Sequence, residues 1–278
     1  MVRIVDQRAE GGLALRTPAQ LGYRMPAEWE PHAGTWLTWP RREGISFPVI
    51  YDRIPPIFAT VIRTLSRGEE VFVNVCDPEM EADARKVLKQ HDALNNNVNF
   101  FHHPSDEPWC RDHGPIFVKN ETTRAIINWD YNAWGKKYSA HKKDNKIPKR
   151  IASTRDLQCY TPGMVLEGGS IEVNGQGTLL TTESCLLNPN RNSNLTKEDI
   201  EQRLRDFLGV THILWLGNGI VGDDTDGHID DLTRFVNKHT VVTAVEKDES
   251  DENHQPLWEN LQRLQTMQTQ DGKSLNIV

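Results

Sequence analysis

The chain has 278 residues, enough for one large domain or two smaller ones with a substantial core. With 37% hydrophobic and 26% charged residues it reads as a soluble globular protein, and its net charge of −7 argues against the basic footprint of a nucleic-acid binder. No run approaches the ~20 apolar residues of a membrane span. The N-terminal stretch MVRIVDQRAEGG lacks the apolar centre of a secretory leader, and Cys76, Cys110, Cys159 and Cys185 are scattered without CxxC pairing. The expectation is a cytoplasmic protein with reduced thiols, no zinc site and no disulfides.

Helical and strand signals then alternate along the chain. Glu69–Val75 (EEVFVNV) predicts a strand, MEADARKVLKQHDAL a helix, and NVNFF a short strand. The basic stretch Lys136–Arg150 reads as an exposed loop running into a short helix. GSIEV and TLLTTE flank Asn174-Gly175-Gln176-Gly177, the pattern of a hairpin turn. The next helix has Thr196 as N-cap, acids in its first turn, Ile200, Leu204, Phe207 and Leu208 on one face, and Gly209 to end it. THILWL follows as a strand. TRFV and TVVTAVE predict a strand pair, QPLWENLQRLQTM a helix with Leu257, Leu261 and Leu264 on one side, and SLNIV a final strand. Strand–strand–helix–strand therefore recurs with a period of roughly 60 residues, which points to stacked or radial units that bury their apolar faces against one another.

The densest chemistry is GDDTDGHIDD, Gly222–Asp231, with five aspartates and one histidine. As a calcium loop with Gly227 at position six, it would put Gly222 at position one and Thr233 at position twelve, losing both anchoring ligands. Gly217, Gly219 and Gly222 spell GxGxxG after a strand, yet aspartates follow where a pyrophosphate would have to sit at a helix start. His228 and Asp230 remain, expected at a strand start, where residues i and i+2 enter one cleft. Three other segments share this flavour: WCRDHGP (Trp109–Pro115), WDYNAWG (Trp129–Gly135) and LEGGSIEV, in which Glu167 precedes two glycines that let backbone approach a ligand. Paired carboxylates grip a guanidinium through charge-assisted hydrogen bonds while an aromatic face stacks on the flat cation. A metalloenzyme is disfavoured by the lack of a second histidine at ligand spacing, since the adjacent His102 and His103 would point to opposite faces of a strand.

In this order, MPAEWEPHAGTWLTWP, WCRDHGP, NAWG, LEGGSIEVNGQGT, TTESCLLNPNRN and DTDGHIDD closely resemble the agmatine deiminases. These belong to the guanidine-modifying superfamily that includes the peptidyl-arginine deiminases, and the match runs from Met25 onward. The resemblance implies an α/β fold, a five-bladed pseudo-symmetric propeller of ββαβ units forming one deiminase domain over residues 1–278, truncated with its last blade incomplete. It also implies roles. Asp112 and Asp230 would hold the guanidinium, Trp109 and Trp134 would line the slot, Glu167 would orient His228, and His228 would serve as general acid and base. No cofactor or metal is implied. The expected partner is a small cationic guanidinium compound (agmatine or an arginine side chain) rather than nucleic acid or a membrane, with homo-oligomerisation left open.

Two departures from the family pattern stand out. The family's nucleophile lies in a C-terminal Gly-x-His-Cys segment, and no such segment occurs in these 278 residues, so the expected chain is inactive in deimination, or a guanidinium-binding protein. Cys110 is disfavoured as a substitute, because strand alternation would turn it from the face of Trp109 and Arg111; Cys185 reads as a small buried hydrophobe. The family also usually has Gly-Gly after the tryptophan of NAWG, whereas Lys136 follows Gly135 here, adding strain if that position uses a positive φ.

Overall fold

Three segments of the chain repeat one plan: two antiparallel strands, a helix, and a third strand parallel to the second. A computed structural model describes residues 4–6 and 16–278. In chain order its main elements are β1 (Ile4–Asp6), β2 (Gly34–Thr38), α1 (Ile54–Leu65), β3 (Glu70–Val75), α2 (Pro78–Gln90) and β4 (Val98–His102). Then come β5 (Ile116–Lys119), β6 (Arg124–Ile127), α3 (Ile147–Thr154), β7 (Gln158–Thr161), β8 (Glu172–Val173) and β9 (Thr178–Thr182). Last are α4 (Lys197–Leu208), β10 (His212–Leu216), β11 (Thr233–Asn237), β12 (Thr240–Thr243), α5 (His254–Thr266) and β13 (Asn276–Ile277).

These strands form four small sheets, ordered β2-β3-β4, β1-β7-β6-β5, β10-β9-β8 and β11-β12-β13. The pairs β5–β6, β8–β9 and β11–β12 are antiparallel, as short connections allow. The pairs β6–β7, β9–β10 and β12–β13 are parallel, each bridged by a helix, as a parallel pair requires. The β2-β3-β4 sheet is parallel throughout and has helices in both connections. All four elements of the last unit lie within the chain, although β13 is only two residues long.

Local sequence explains most of these elements. At α4 the Thr196 hydroxyl accepts from the Asp199 N–H while the Asp199 carboxylate accepts from the Thr196 N–H, and Gly209 closes the helix in the left-handed conformation. Such a cap stabilises by about 1 kcal/mol. The apolar face packs Ile200, Leu204, Phe207 and Leu208 against Ile127, Trp129, Leu179 and Trp215 in the main core. Burying each of these side chains contributes roughly 1.5–3 kcal/mol. Among the described residues no helix is long and apolar enough to cross a membrane. The N-terminal stretch searched for a leader lies mostly outside them.

Candidate active site

The residues singled out in the sequence converge from connections rather than from strands. WCRDHGP, between β4 and β5, forms a single helical turn over Cys110–His113 instead of extended chain. That turn buries Asp112 and leaves Trp109 41% exposed at the rim of a slot of about 580 Å³. The Trp109 ring N–H donates to Ser46 Oγ at 2.7 Å. The Glu107 carboxylate in turn accepts from the Ile45 and Ser46 N–H groups at 2.8 and 3.1 Å. Ile45 and Ser46 also line the slot.

Trp134 also lines the slot, edge-on to Trp109 with ring centroids 6.3 Å apart. It reaches that position through a left-handed turn, Ala133–Lys136, whose φ values are 56°, 52°, 84° and 66°. Asn132 caps the turn by accepting from the Gly135 N–H at 2.8 Å. Gly135 has no alternative there, because a Cβ would lie 2.3 Å from the Asn190 side chain. The turn also aims the Trp134 ring N–H at Asp112 Oδ2, 3.1 Å away.

His228 precedes a 3₁₀ turn, Ile229–Asp231, and β11 begins only at Thr233. The expected strand start is therefore a turn, yet it still brings His228 and Asp230 together. His228 Nδ1 faces the slot, 3.6 Å from Asp112 Oδ1 and 3.8 Å from Asp230 Oδ1. Gly169 makes this convergence physically allowed. A Cβ there would stand 2.5 Å from His228 Nδ1 and 2.8 Å from both Asp112 Oδ1 and Asp230 Oδ2. Its N–H instead donates to Asp112 Oδ1 at 3.1 Å.

Glu167 lies fully buried on the other side of the imidazole, 3.9 Å from Nε2. Arg191, in the NPNRN run after β9, is given no role by the sequence alone, although its segment is one of the blocks that carry the family resemblance. Its Nε donates to Glu167 Oε1 at 2.9 Å, and its other nitrogens donate to the Asp226 carboxylate, the Thr225 carbonyl and Asn190 Oδ1. One buried guanidinium thus ties the Glu167 loop to the loop that carries His228. The aspartates of GDDTDGHIDD divide their work accordingly. Asp223 accepts from the Thr225 and Gly227 N–H groups, Asp224 takes the Tyr138 hydroxyl, and Asp226 takes Lys137, Asn190 and Arg191. Asp230 and Asp231 line the slot together with Asp224.

Electrostatics follow from this burial. Asp112 is pushed up to about 6, chiefly by burial and by neighbouring Glu167 and Asp230, with His228 opposing. Burial disfavours the His228 cation, but flanking Cys185 and Glu167 and the Asp112 charge prevail and raise it to about 11. Glu167 is held below the usual carboxylate range despite burial, by His228 and Arg191. Arg111, 3.9 Å from Asp230 at the slot edge, is matched by Glu28, which also takes Arg234. The slot therefore presents a surplus of negative charge beside two tryptophans, with a proton-bearing imidazole against it, an arrangement that suits a flat cation.

Of the four cysteines, all free, none lines the slot. Cys110 sits on the helical turn with its thiol against Thr38, and burial pushes it up to about 11. It faces away from the slot, as expected, but through helical rather than strand geometry. Cys185 is buried as expected, yet its sulfur lies 4.0 Å from Glu167 Oε2.

Comparison with known proteins identifies the family of the chain. The family model of Porphyromonas-type peptidyl-arginine deiminase matches residues 24–278. An agmatine deiminase of Stutzerimonas stutzeri is 40% identical over 270 residues, covering 93% of this chain and 70% of that protein. The solved structure of Enterococcus faecalis agmatine deiminase superposes with a TM-score of 0.84 at 33% identity, over 95% of this chain and 72% of that one. A cysteine-to-serine variant of C. jejuni agmatine deiminase with substrate bound gives 0.80 at 29% identity, over 92% and 73%. The chain belongs to the Porphyromonas-type peptidyl-arginine deiminase family and is, by that membership, an amidine hydrolase.

Proposed function

We propose that this site binds agmatine as its guanidinium substrate, for conversion to N-carbamoylputrescine and ammonia. The observation that carries the reading is the convergence of Asp112 and Asp230 on the slot side of His228, in a slot that Trp109 and Trp134 also line. Asp112 and Asp230 hold the guanidinium by paired hydrogen bonds. The two indoles line the slot beside it, and Glu167 fixes the imidazole from behind. Asp224 and Asp231 add negative charge along the lining, and Glu28 neutralises Arg111. That balance favours a second cationic group on the substrate, as in agmatine, over the peptide backbone that would flank an arginine residue. Deimination of peptidyl arginine is the second reading, supported by the family's description.

The chemistry proceeds through a cysteine. A thiolate attacks the guanidinium carbon, the C–N bond to the leaving amine breaks as His228 delivers a proton, and ammonia departs. Water then attacks the S-alkylthiouronium carbon, His228 takes its proton, and the thiolate is expelled to leave the ureido product. The Gly-x-His-Cys segment that bears this thiolate in the family does not occur in the 278 residues. Cys110 faces Thr38, and Cys185 stands on the far side of the imidazole from the slot. Since none of the four cysteines lines the slot, we propose that these 278 residues bind the substrate without turning it over. The four sheets are read as blades of the five-bladed propeller implied by the resemblance, all within one domain.

Calorimetry with the purified chain and an ammonia assay test this together. Agmatine binding that Asp112→Asn weakens about a hundredfold, roughly the loss of a charged hydrogen-bond pair, supports the reading. Binding indifferent to Asp112→Asn overturns the site, and steady ammonia release by the 278 residues overturns the inactivity. Tighter binding of a blocked arginine peptide than of agmatine selects the second reading.

A further inference from the structure

Behind the His228 ring, away from the slot, three metal-ligating atoms face one another. His228 Nε2 is buried and finds no hydrogen-bond partner, although the residue is only 2% exposed. It lies 3.9 Å from Glu167 Oε2, and Cys185 Sγ lies 4.0 Å from that same oxygen, at the far limit for a sulfur hydrogen bond. All three atoms fall within 4.8 Å of one another. An ion centred in the plane of the three atoms would lie about 2.5 Å from each, close to the ~2.0–2.3 Å of zinc–ligand bonds.

The surroundings hold the ligands for that role. Arg191 occupies Glu167 Oε1, which leaves Oε2 as the oxygen turned into the gap. Cys185 stands on the Glu183–Leu186 turn, whose N-terminus is fixed by Thr182 accepting from the Cys185 N–H. The Arg191 charge is already matched by Asp226, so a carboxylate and a thiolate remain to neutralise a divalent ion. Spacing along the sequence hides the set, because each ligand comes from a different connection.

We propose that Glu167 Oε2, Cys185 Sγ and His228 Nε2 form a binding site for a thiophilic divalent cation such as Zn²⁺, and that its occupation withdraws His228 from proton transfer. Binding releases the thiol proton and the Nε2 proton, so the affinity rises with pH. The metal site stands independently of the deiminase reading; only the inhibitory consequence rests on it.

The test uses Co²⁺ as a spectroscopic stand-in for Zn²⁺ on the full 278-residue chain, equilibrated before measurement. The expected result is a thiolate-to-cobalt charge-transfer band in the near ultraviolet that Zn²⁺ abolishes. Cys185→Ser should remove the band and weaken Zn²⁺ binding at least about tenfold, while Cys110→Ser leaves both unchanged. His228→Asn supplies the same loss if Cys185→Ser does not fold, as judged by circular dichroism. No thiolate band in the unsubstituted chain, or a band that survives both Cys185→Ser and His228→Asn, overturns the proposal. Agmatine binding without a cobalt band sinks the metal site alone. A cobalt band in a chain that does not bind agmatine leaves the metal site standing and removes the deiminase reading.

Discussion

Lys136→Gly should stabilise the protein, and the reason lies in one dihedral angle. Lys136 holds φ at +66° as the last residue of the left-handed turn that places Trp134. For an L-residue that conformation costs roughly 1–2 kcal/mol, because Cβ crowds the following carbonyl. Glycine removes the clash but raises the entropy of the unfolded chain, which takes back roughly 0.5–1 kcal/mol. The net expectation is a gain of about 0.5–1 kcal/mol, or about 1–4 °C in Tm for a chain of this size. The lysine side chain is exposed, so little packing is lost with it. Differential scanning calorimetry reads the shift directly. Gly135→Ala is the matched control. Its φ is +84° and its Cβ would meet the Asn190 side chain at 2.3 Å, so it should lower Tm. A Tm that falls in Lys136→Gly, or Gly135→Ala as stable as the unsubstituted chain, would refute the reasoning. Agmatine affinity should rise slightly in Lys136→Gly at low salt and lose that advantage at high salt, since an exposed cation near an acidic slot is screened.

Agmatine should bind with proton release. A guanidinium seated by Asp112 and Asp230 opposes the His228 cation, lowering it from about 11, so fewer protons are bound in the complex than in the free protein. Calorimetry in buffers of different ionisation enthalpy counts those protons, and no release at pH 8 would contradict the arrangement. Below pH 6 Asp112 takes up a proton in the free protein, so affinity should fall by up to about tenfold per pH unit there. Trp134→Phe keeps the slot wall but removes the N–H donated to Asp112. The loss of a charged hydrogen bond, about 1.5–3 kcal/mol, should weaken agmatine binding about tenfold or more at pH 7 and move the acid limb of its pH profile upward. Arg191→Met takes from buried Glu167 its hydrogen-bonded cation, leaving only His228 at 3.9 Å, and should destabilise by about 3 kcal/mol at pH 7, seen in urea denaturation. Because His228 and Arg191 together hold Glu167 below its usual pKa, the share that Arg191 contributes is present above the unfolded carboxylate pKa and lost as pH falls through the lowered folded value. The gap between Arg191→Met and the unsubstituted chain should therefore narrow on acidification; a constant gap argues against the pairing.

Elements written in local signals were readable in advance. The α4 helix declares itself through Thr196, Asp199, a four-residue apolar face and Gly209, all within one segment, and each signal acts where it stands. The α1 helix, which no sequence expectation covers, carries Pro55 and Pro56 in its first turn, where proline is tolerated because its missing N–H has no partner anyway. Asp112, Glu167, His228 and Asp230 were visible as a constellation, but their backbone was misjudged: a helical turn and a 3₁₀ turn stand where strands were expected. Arg191 could not be found by spacing, since its partners Glu167 and Asp226 lie 24 and 35 residues away. The hint was its chemistry: a lone arginine in the otherwise uncharged CLLNPNRN, and a buried cation needs a carboxylate nearby. Cys185 was correctly read as buried, but a sequence does not say whose atoms a buried sulfur meets.

The bare Cα of Gly169 has a consequence for how relatives of this chain are interpreted. Its missing methyl group is the volume into which His228, Asp112 and Asp230 converge. Gly169→Ala would keep every acid, base and tryptophan of the site and the hydrophobic core beneath it. It would still press those three polar groups apart by an ångström or so, enough to spoil their joint hold on a planar cation. A homologue with alanine here would satisfy a search for the charged motif while having lost the receptor. In sorting binders from non-binders across such sequences, the residue to inspect first is one with no functional group at all.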